Sequence, residues 1–295
     1  MRKYFIIIPI LILLYFLSDK DNSSIKTENK RIETDNLIVN MSNYGLENIL
    51  LSEYLNGVIA CEMPALFHDE AIKAGIVAAR TFYLYKYESD NDYKPSNGDQ
   101  CFFSESKRKE NWRDNYELYN EKILNNINLT KNEVITYNGS VIKAFYFSMS
   151  NGYTEDAVNV FKKSEPYLVS VISDYDKNVK NNLSSKSISV NEFKEKLNVD
   201  NDIVINNIVR DSSNRVSEIV INNVNYDGVY FRKLFDLRST DFEIEFNDQE
   251  VIITTRGYGH GVGMSQWGAN EMAKMGYEYK DILKYYYKDV EIMYK

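Results

Sequence analysis

The sequence predicts an α+β fold in which helices pack with antiparallel hairpins around a cleft, preceded by an N-terminal membrane anchor. Apolar residues recur at helical spacing in two segments within residues 52–86, and three hairpin patterns follow later in the chain. Because helices and strands are segregated rather than alternating, the pattern favours α+β over α/β. The chain has 295 residues, 44% of them apolar, which suits one large or two small domains.

The N-terminus predicts a membrane anchor over residues 1–18. Arg2 and Lys3 precede an uncharged apolar run over residues 4–17, which is the layout of a signal sequence or an anchor. The run is shorter than the roughly 20 residues of an ordinary transmembrane helix. No small-x-small cleavage site follows it, however, so we predict an uncleaved anchor whose N-terminus lies in the cytoplasm.

Residues 19–36 are polar and mixed in charge, and they predict a flexible tether. Residues 37–295 would then form the folded domain. The chain carries 43 acidic against 35 basic residues, a formal net charge of −8, which argues against nucleic acid as a partner. A ligand is therefore expected to be held by hydrogen bonds and aromatic stacking, for which 24 tyrosines supply amphipathic surface.

Two helices joined by a stiff elbow form the first structural unit. The first helix is predicted from about Ser52, a plausible N-cap, to Cys61, and Pro64 ends it by forcing Met63 into an extended conformation. The second helix is predicted to begin near Asp69 and to carry a face of small and apolar residues.

This arrangement places Glu62 on the last turn of the first helix or just beyond it. The macrodipole disfavours a negative charge there, and the apolar neighbours of Glu62 add desolvation. Both effects raise the pKa of a carboxyl group, as a general acid requires at neutral pH. Glu62 is therefore the candidate catalytic residue; the alternative is that it is simply one of the 43 acidic residues of the chain.

The middle of the chain predicts hairpins and further helices. Residues 134–137 turn through Asn138 and Gly139 into residues 141–147, and Asn-Gly is typical of a type I′ turn. Two weaker hairpins pair 203–209 with 216–221 and 242–246 with 251–255. The remaining predicted helices cover 107–124, 191–197, 265–275 and 279–287.

A glycine-rich run at residues 257–263 predicts a ligand-binding wall. It lacks the Lys-Ser/Thr of a P-loop, and no βαβ unit surrounds it, so neither a P-loop nor a dinucleotide site is predicted. Glycines allow a close approach of backbone to a sugar, and a helix opens just after the run. The alternative is a tight structural loop whose histidine bonds to the backbone. The candidate ligand-binding residues are Tyr258, His260, Gly261, Ser265 and Gln266.

Metal chemistry has few candidate residues, namely Cys61, Cys101, His68 and His260. No CxxC, HxH or HExxH pattern is present, so neither a metal site nor a cofactor is predicted. Zinc ligation by a cysteine with a histidine and water is one alternative, and a disulfide outside the cytoplasm is another. We expect two buried free thiols.

Four blocks of the sequence resemble the stage II sporulation protein D (SpoIID/LytB) family. ACEMP followed by EAIKAGIVAARTFYL is similar to the family's xSEMP and EALKAQAVAARTYAL signature. RGYGHGVGMSQWGANEMAKMGYEYKDILKYYYKDVEI resembles its C-terminal block, and FYFSMSNGYTEDAVNVF and FRKLFDLRSTDF resemble its middle segments. The blocks occur in the right order and span nearly all of the chain beyond residue 37.

The resemblance implies that Glu62 is the catalytic residue of a peptidoglycan lytic transglycosylase. In such enzymes the C6 hydroxyl of N-acetylmuramic acid attacks its own anomeric carbon, so no second carboxylate is needed, in contrast to ordinary glycosidases. The family implies that the glycine-rich block faces Glu62 across the cleft. Where the family often has Tyr-His-Ser, this chain has Tyr146-Phe147-Ser148, which weakens the case for a metal site.

The resemblance also implies a biological setting. The substrate would be glycan strands freed of stem peptides, cleaved during forespore engulfment in the space between the mother-cell and forespore membranes. A peptidoglycan amidase and a polytopic membrane protein would be the partners. A non-catalytic glycan-binding or amidase-enhancing module is the main alternative function, and a zinc hydrolase is a distant one.

Overall fold

The described residues form helices together with small sheets that are mostly antiparallel hairpins, which confirms the α+β class. A computed structural model describes residues 33–295. The predicted anchor at 1–18 and the tether over 19–32 lie outside these residues. Within residues 33–295, no helix combines the length and the apolar character needed to cross a membrane.

Most of the helix boundaries predicted from the sequence agree with those of the structure to within two residues. They are α1 (Leu51–Glu62), α2 (Asp69–Ser89), α3 (Glu105–Trp112), α4 (Tyr116–Leu129), α5 (Ala157–Phe161), α6 (Val190–Leu197), α7 (Gly228–Leu234), α8 (Gln266–Lys274) and α9 (Tyr279–Tyr286).

The strands form small sheets rather than one large one. They are β1 (Ile38–Val39), β2 (Ile49–Leu50), β3 (Glu133–Tyr137), β4 (Ser140–Val141), β5 (Tyr146–Phe147), β6 (Gly152–Tyr153), β7 (Ile172–Ser173), β8 (Leu183–Ser189), β9 (Ile205–Arg210), β10 (Val216–Ile221), β11 (Val224–Asp227), β12 (Phe242–Phe246), β13 (Glu250–Arg256), β14 (Met264–Ser265) and β15 (Glu291–Tyr294). Three of the sheets have three strands, in the orders β15-β3-β4, β11-β10-β9 and β12-β13-β8.

All three predicted hairpin turns are present. β3 pairs with β4, β9 with β10 and β12 with β13, each antiparallel. Asn138 and Gly139 both have positive φ, at 49° and 78°, as a type I′ turn requires.

The first hairpin is shorter than predicted, because its second strand does not continue to Phe147. Two successive i to i+2 hydrogen bonds, from Ala144 N–H to the Ile142 carbonyl and from Phe145 N–H to the Lys143 carbonyl, bend the chain after β4. The residues beyond the bend form β5, which pairs in parallel with β14. The glycine-rich block is thereby joined to the middle of the chain.

The helix predicted over residues 107–124 is wrong as a single element. It is divided into α3 and α4 by a short 3₁₀ turn, Arg113–Asn115, and Arg113 has a φ of 47°. Asp114 and Asn115 have low helix propensity, which the periodicity of the flanking residues masks in the sequence.

The fold begins earlier than the predicted tether boundary. Residues Thr34–Asn36 form a 3₁₀ turn in which Asp35 is buried, and its Oδ2 accepts a hydrogen bond of 3.0 Å from Nη2 of the fully buried Arg80. The Thr34 hydroxyl donates to the backbone carbonyl of Lys295 at 2.6 Å. The last residues of the predicted tether therefore belong to the domain.

Two large hydrophobic clusters lie in the domain, beside a small third one formed by Leu84, Val134 and Val141. The larger one surrounds α2, whose residues from Ala71 to Leu84 are buried with the exception of Lys73. The smaller one lies between α6, α7 and the strands of the sheets β11-β10-β9 and β12-β13-β8. The larger cluster is the one that positions Glu62, because α1 packs directly on α2.

Candidate active site around Glu62

Glu62 is the last residue of α1, as the sequence predicts. Met63 follows with an extended backbone (φ −128°, ψ 138°), which is the conformation that the next residue, Pro64, imposes. Helix α1 begins one residue before the predicted N-cap, and Leu50 at the cap position makes no side-chain hydrogen bond. α1 and α2 lie so close that a Cβ on Gly75 would overlap the sulfur of Met63. The elbow that carries Glu62 is therefore tightly held.

Two hydrogen bonds hold the carboxylate of Glu62. Oε1 accepts from the backbone N–H of Cys101 at 2.8 Å, and Oε2 accepts from Nε2 of Gln266 at 3.3 Å. Burial raises the pKa of Glu62, and the two hydrogen bonds oppose the shift without reversing it. No lysine, arginine or second carboxylate of residues 33–295 contributes to the shift. The predicted direction of the pKa shift is confirmed.

A disulfide lies next to the carboxylate. Cys61 and Cys101 are bonded, with their Cα atoms 5.6 Å apart, so the expected pair of free thiols is wrong. The pairing could not be predicted from local sequence, because the two cysteines are separated by 40 positions. The bridge anchors the segment that follows Asp99 to α1, and the N–H of Phe103 donates to the carbonyl of Gly57 at 3.0 Å.

Tyr146 and Gln100 also lie at the site, although neither was a predicted site residue. Nε2 of Gln100 donates to the Tyr146 hydroxyl at 2.9 Å, and the Tyr54 hydroxyl donates to Oε1 of Gln100 at 3.3 Å. Burial, and next the charge of Glu62, raise the pKa of Tyr146. The phenol is therefore neutral, and it lies close enough to Glu62 for the charge of the carboxylate to affect its pKa. Only the Tyr-Phe-Ser block pointed to Tyr146, and nothing in the sequence pointed to Gln100.

Gln266 is the one member of the predicted ligand-binding set that contacts Glu62. It is the first residue of α8 and directly follows β14. The pairing of β14 with β5 therefore positions the Gln266 amide next to the carboxylate. Ser265, by contrast, is fully buried and caps α8 by accepting from Gly268 N–H at 3.1 Å. The Ser265 hydroxyl also donates to Asp176 at 2.6 Å. The hydrogen bonds of Ser265 therefore stabilise the interior of the domain.

The loop at residues 257–263 holds His260 in an aromatic pocket. Nδ1 accepts from the backbone N–H of Val262 at 3.0 Å, and the ring lies 5.5 to 6.0 Å from the rings of Phe145, Phe147 and Phe161. Burial, followed by the charges of Arg232 and Arg215, lowers the pKa of His260 to about 3. Its imidazole is neutral at physiological pH, and it makes the backbone bond that the structural alternative requires.

Tyr258 and Gly261 lie on either side of His260. The ring of Tyr258 is 47% exposed and has the guanidinium of Arg238 4.6 Å from its centroid. Gly261 has a φ of 86°, and a Cβ there would come within 2.7 Å of the guanidinium carbon of Arg215. Glycine at this position is required by both the backbone conformation and the space.

Other carboxylates near α1 are engaged elsewhere. Glu70 bonds to Lys73 at 2.6 Å and accepts from Tyr279 N–H at 2.8 Å, while Asp69 accepts from Asn126 at 3.1 Å. Within the described part of the chain, no group of three or more His, Cys, Asp or Glu side chains is arranged to hold a metal ion. The site therefore offers a single carboxyl group whose pKa is raised by burial, with two hydrogen-bond donors that orient it. Such a group can act as a general acid and then as the conjugate base.

The chain is similar in sequence to proteins of one known family. The family model described as Stage II sporulation protein (SpoIID) matches residues 42–137. Stage II sporulation protein D of Bacillus amyloliquefaciens is 40% identical over 85% of this chain and 76% of its own length. Stage II sporulation protein D of Bacillus subtilis (strain 168) is 35% identical over 97% of this chain and 92% of its own length. The amidase enhancer of Bacillus subtilis is 29% identical over 79% of this chain and 39% of its own length.

Proposed function

This chain belongs to the stage II sporulation protein D family, and from that premise we propose that it is a lytic transglycosylase of peptidoglycan. It would cleave the bond between N-acetylmuramic acid and N-acetylglucosamine. The proposal is supported above all by Glu62, a lone carboxyl group whose pKa is raised by burial and which two donors hold in place.

Glu62 would first donate its proton to the glycosidic oxygen, and the bond from that oxygen to the anomeric carbon of the muramic acid would break. The C6 hydroxyl of the same sugar would then attack the anomeric carbon and give its proton to the carboxylate of Glu62. The products are a 1,6-anhydro-muramic end and a free hydroxyl on the leaving sugar. Since the nucleophile belongs to the substrate, one carboxyl group is sufficient, unlike the two of ordinary glycosidases.

The catalytic environment is consistent with this use of Glu62. Burial raises the pKa of the carboxyl group, which favours the protonated form that a general acid requires. The N–H of Cys101 and the amide of Gln266 then stabilise the carboxylate that forms after proton transfer. The same hydrogen bonds orient the group throughout, which is the advantage of a preorganised site.

The biological setting belongs to the same proposal. We place the activity at the cell membrane, on the extracytoplasmic side, with the domain held by the N-terminal anchor during forespore engulfment. A peptidoglycan amidase would supply strands without stem peptides, and a polytopic membrane protein would gather the two enzymes. Two of the named relatives are stage II sporulation proteins, which supports a role in sporulation.

A non-catalytic module that binds glycan or stimulates an amidase is the second candidate. One relative bears the name amidase enhancer, at 29% identity. This alternative needs no general acid, so it predicts that Glu62 can be replaced without consequence.

The decisive experiment compares wild type with Glu62→Gln on strands freed of stem peptides, using mass spectrometry of the products. We expect wild type to give 1,6-anhydro-muramic ends and the variant to lose at least the roughly 10² to 10⁴ in rate that general acid catalysis supplies. Glu53→Gln, an exposed glutamate on α1, is the matched control and should keep full activity. Full activity in Glu62→Gln would assign the acid elsewhere, and reducing ends would identify water as the nucleophile. The reaction should also survive extensive treatment with EDTA.

A further inference from the structure

An exposed aromatic ring and an arginine form the centre of a patch on the protein surface. The guanidinium of Arg238 lies over the ring of Tyr258, 4.6 Å from its centroid. Nη1 of the same arginine donates to the backbone carbonyl of Asn181 at 2.7 Å, and the exposed Lys180 directly precedes Asn181. Because Tyr258 is 47% exposed, the ring and its basic neighbours are open to a ligand from outside.

The end of the sheet β12-β13-β8 completes this patch. Arg256, the last residue of β13, lies opposite Leu183, the first residue of β8, and both residues are exposed, Leu183 by 57%. The N–H of Gly257 donates to the carbonyl of Asn182 at 2.9 Å, which joins the strand end to the loop that carries Tyr258. These contacts gather an exposed leucine, an exposed tyrosine and three basic side chains into one cationic patch, formed by Lys180, Leu183, Arg238, Arg256 and Tyr258.

The basic side chains of the cationic patch are not neutralised by the protein. Within residues 33–295, none of the three forms a salt bridge with a carboxylate. Asp241, whose carbonyl accepts from the N–H of Arg256, has a buried carboxylate that is paired with Arg210 at 2.9 Å. Glu243 is exposed on the same sheet but lies opposite Thr254. A local positive charge therefore remains on a chain whose formal net charge is −8, and it attracts anions.

We propose that the cationic patch docks the domain on the anionic phospholipid surface of a membrane. Arginine and lysine bind headgroup phosphates, and the amphipathic ring of Tyr258 suits the boundary between headgroups and acyl chains. Leu183 favours a lipid surface over a soluble polyanion, because only the lipid surface also offers an apolar layer that covers an exposed aliphatic side chain. The anchor predicted over residues 1–18 would keep a bilayer within reach. The inference goes beyond the proposed function, since it concerns the orientation of the domain and not its chemistry.

Hydroxyl-radical footprinting of the full chain in bilayers tests the inference, because it reports the exposure of individual side chains. The two bilayers are phosphatidylcholine alone and phosphatidylcholine mixed with phosphatidylglycerol. We expect the labelling of Leu183 and Tyr258 to fall only in the bilayer that contains phosphatidylglycerol, and to recover at high salt, which screens the charges. Leu118 on α4, which is 64% exposed, is the internal reference and should be labelled equally in both bilayers.

A variant of the cationic patch makes the test quantitative. Lys180→Gln/Arg256→Gln removes two exposed cations and keeps Arg238, whose side chain also holds the backbone beside it. One basic residue contributes a factor of about five to the binding of an anionic membrane, so the ratio of docked to free domain should fall by about 25-fold in the double variant. The protection of Leu183 in the anionic bilayer should then be lost.

The matched control, Lys284→Gln/Lys288→Gln, removes the same charge from exposed lysines outside the cationic patch and should leave the protection intact. Equal labelling of Leu183 in the two bilayers, or protection that survives in the patch variant, would overturn the inference. Protection by a soluble phosphodiester polymer or by glycan strands, without anionic lipid, would also overturn it by assigning the patch to a polymer. The proposed function is judged separately, by the products that wild type forms from peptide-free strands.

Discussion

The backbone N–H of Cys101 donates a hydrogen bond of 2.8 Å to Oε1 of Glu62, although the two residues are 39 positions apart. The disulfide to Cys61 joins the same two stretches of chain immediately beside this bond. One covalent and one polar contact thus hold the loop against the end of α1. The electrostatic environment of the candidate acid therefore depends on a loop that the sequence gives no reason to associate with it.

The hydrogen bond from Gln266 leads to a prediction about pH. The side-chain amide of Gln266 stabilises the carboxylate form of Glu62. Gln266→Leu should therefore raise the pKa of Glu62 further. An acid with a higher pKa stays protonated to higher pH. The limb of the kcat/KM profile that falls with rising pH should therefore move to higher pH in the variant.

That profile is measured on peptide-free strands, because kcat/KM reports the ionisation of the free enzyme. Glu271→Gln, on the same helix and paired with Lys274, is the control and should leave the limb in place. A limb that stays in place or moves to lower pH in Gln266→Leu would show that the amide does not stabilise the carboxylate.

Removal of the disulfide should destabilise the domain. The double variant Cys61→Ser/Cys101→Ser releases a loop closed across 40 positions, and loss of a native bridge typically costs about 2–5 kcal/mol. Denaturant unfolding with and without a dithiol measures the effect. Wild type should lose stability on reduction, whereas the double variant should be insensitive to the dithiol. Wild type that reacts with two equivalents of a thiol reagent under non-reducing, denaturing conditions would contradict the bridge.

Asp35 should be essential for stability although it lies in a stretch of polar sequence. Asp35→Ala leaves Arg80 fully buried without its carboxylate, and an uncompensated buried charge costs about 3–5 kcal/mol. The comparison variant is Glu33→Gln, which breaks an exposed ion pair with Lys131 and should leave stability unchanged. If the two variants unfold at the same denaturant concentration, residues near 35 are not part of the folded unit.

Gly57 should not tolerate alanine, in spite of its position inside α1. A Cβ there would overlap the ring of Phe102 and come within 2.7 Å of the Phe103 carbonyl oxygen. Alanine in a helix normally gains about 0.5–1 kcal/mol over glycine, but overpacking of this kind costs about 1–3 kcal/mol.

The displaced segment also carries Cys101, so glycan cleavage should fall together with stability in Gly57→Ala. Gly98→Ala is the comparison substitution, in a turn where a Cβ would make only an ordinary contact of 3.6 Å with the Ser96 hydroxyl, and it should be neutral. A stabilised Gly57→Ala variant would mean that the loop moves freely and does not constrain Glu62.

Part of the fold could be predicted from the sequence because its causes are local. Pro64 forces Met63 to be extended whatever surrounds it, so α1 must end at Glu62. Asn138 and Gly139 accept the positive φ values of a tight turn, so the hairpin there follows from two residues. Where local signals conflicted with periodicity, as at Asp114 and Asn115, the periodicity misled and one predicted helix became two.

The sequence by itself thus determined the α+β class, the place of Glu62 and the direction of its pKa shift. Only the tertiary structure decided what touches that carboxylate. Gln266 is 204 positions from Glu62, and it arrives because β5 pairs with β14, a contact between distant segments that no local pattern encodes. The same packing turned Ser265 inward to cap a helix and brought Cys61 to Cys101. Residue type and spacing describe what a side chain can do, whereas its partners depend on which distant surfaces are buried together.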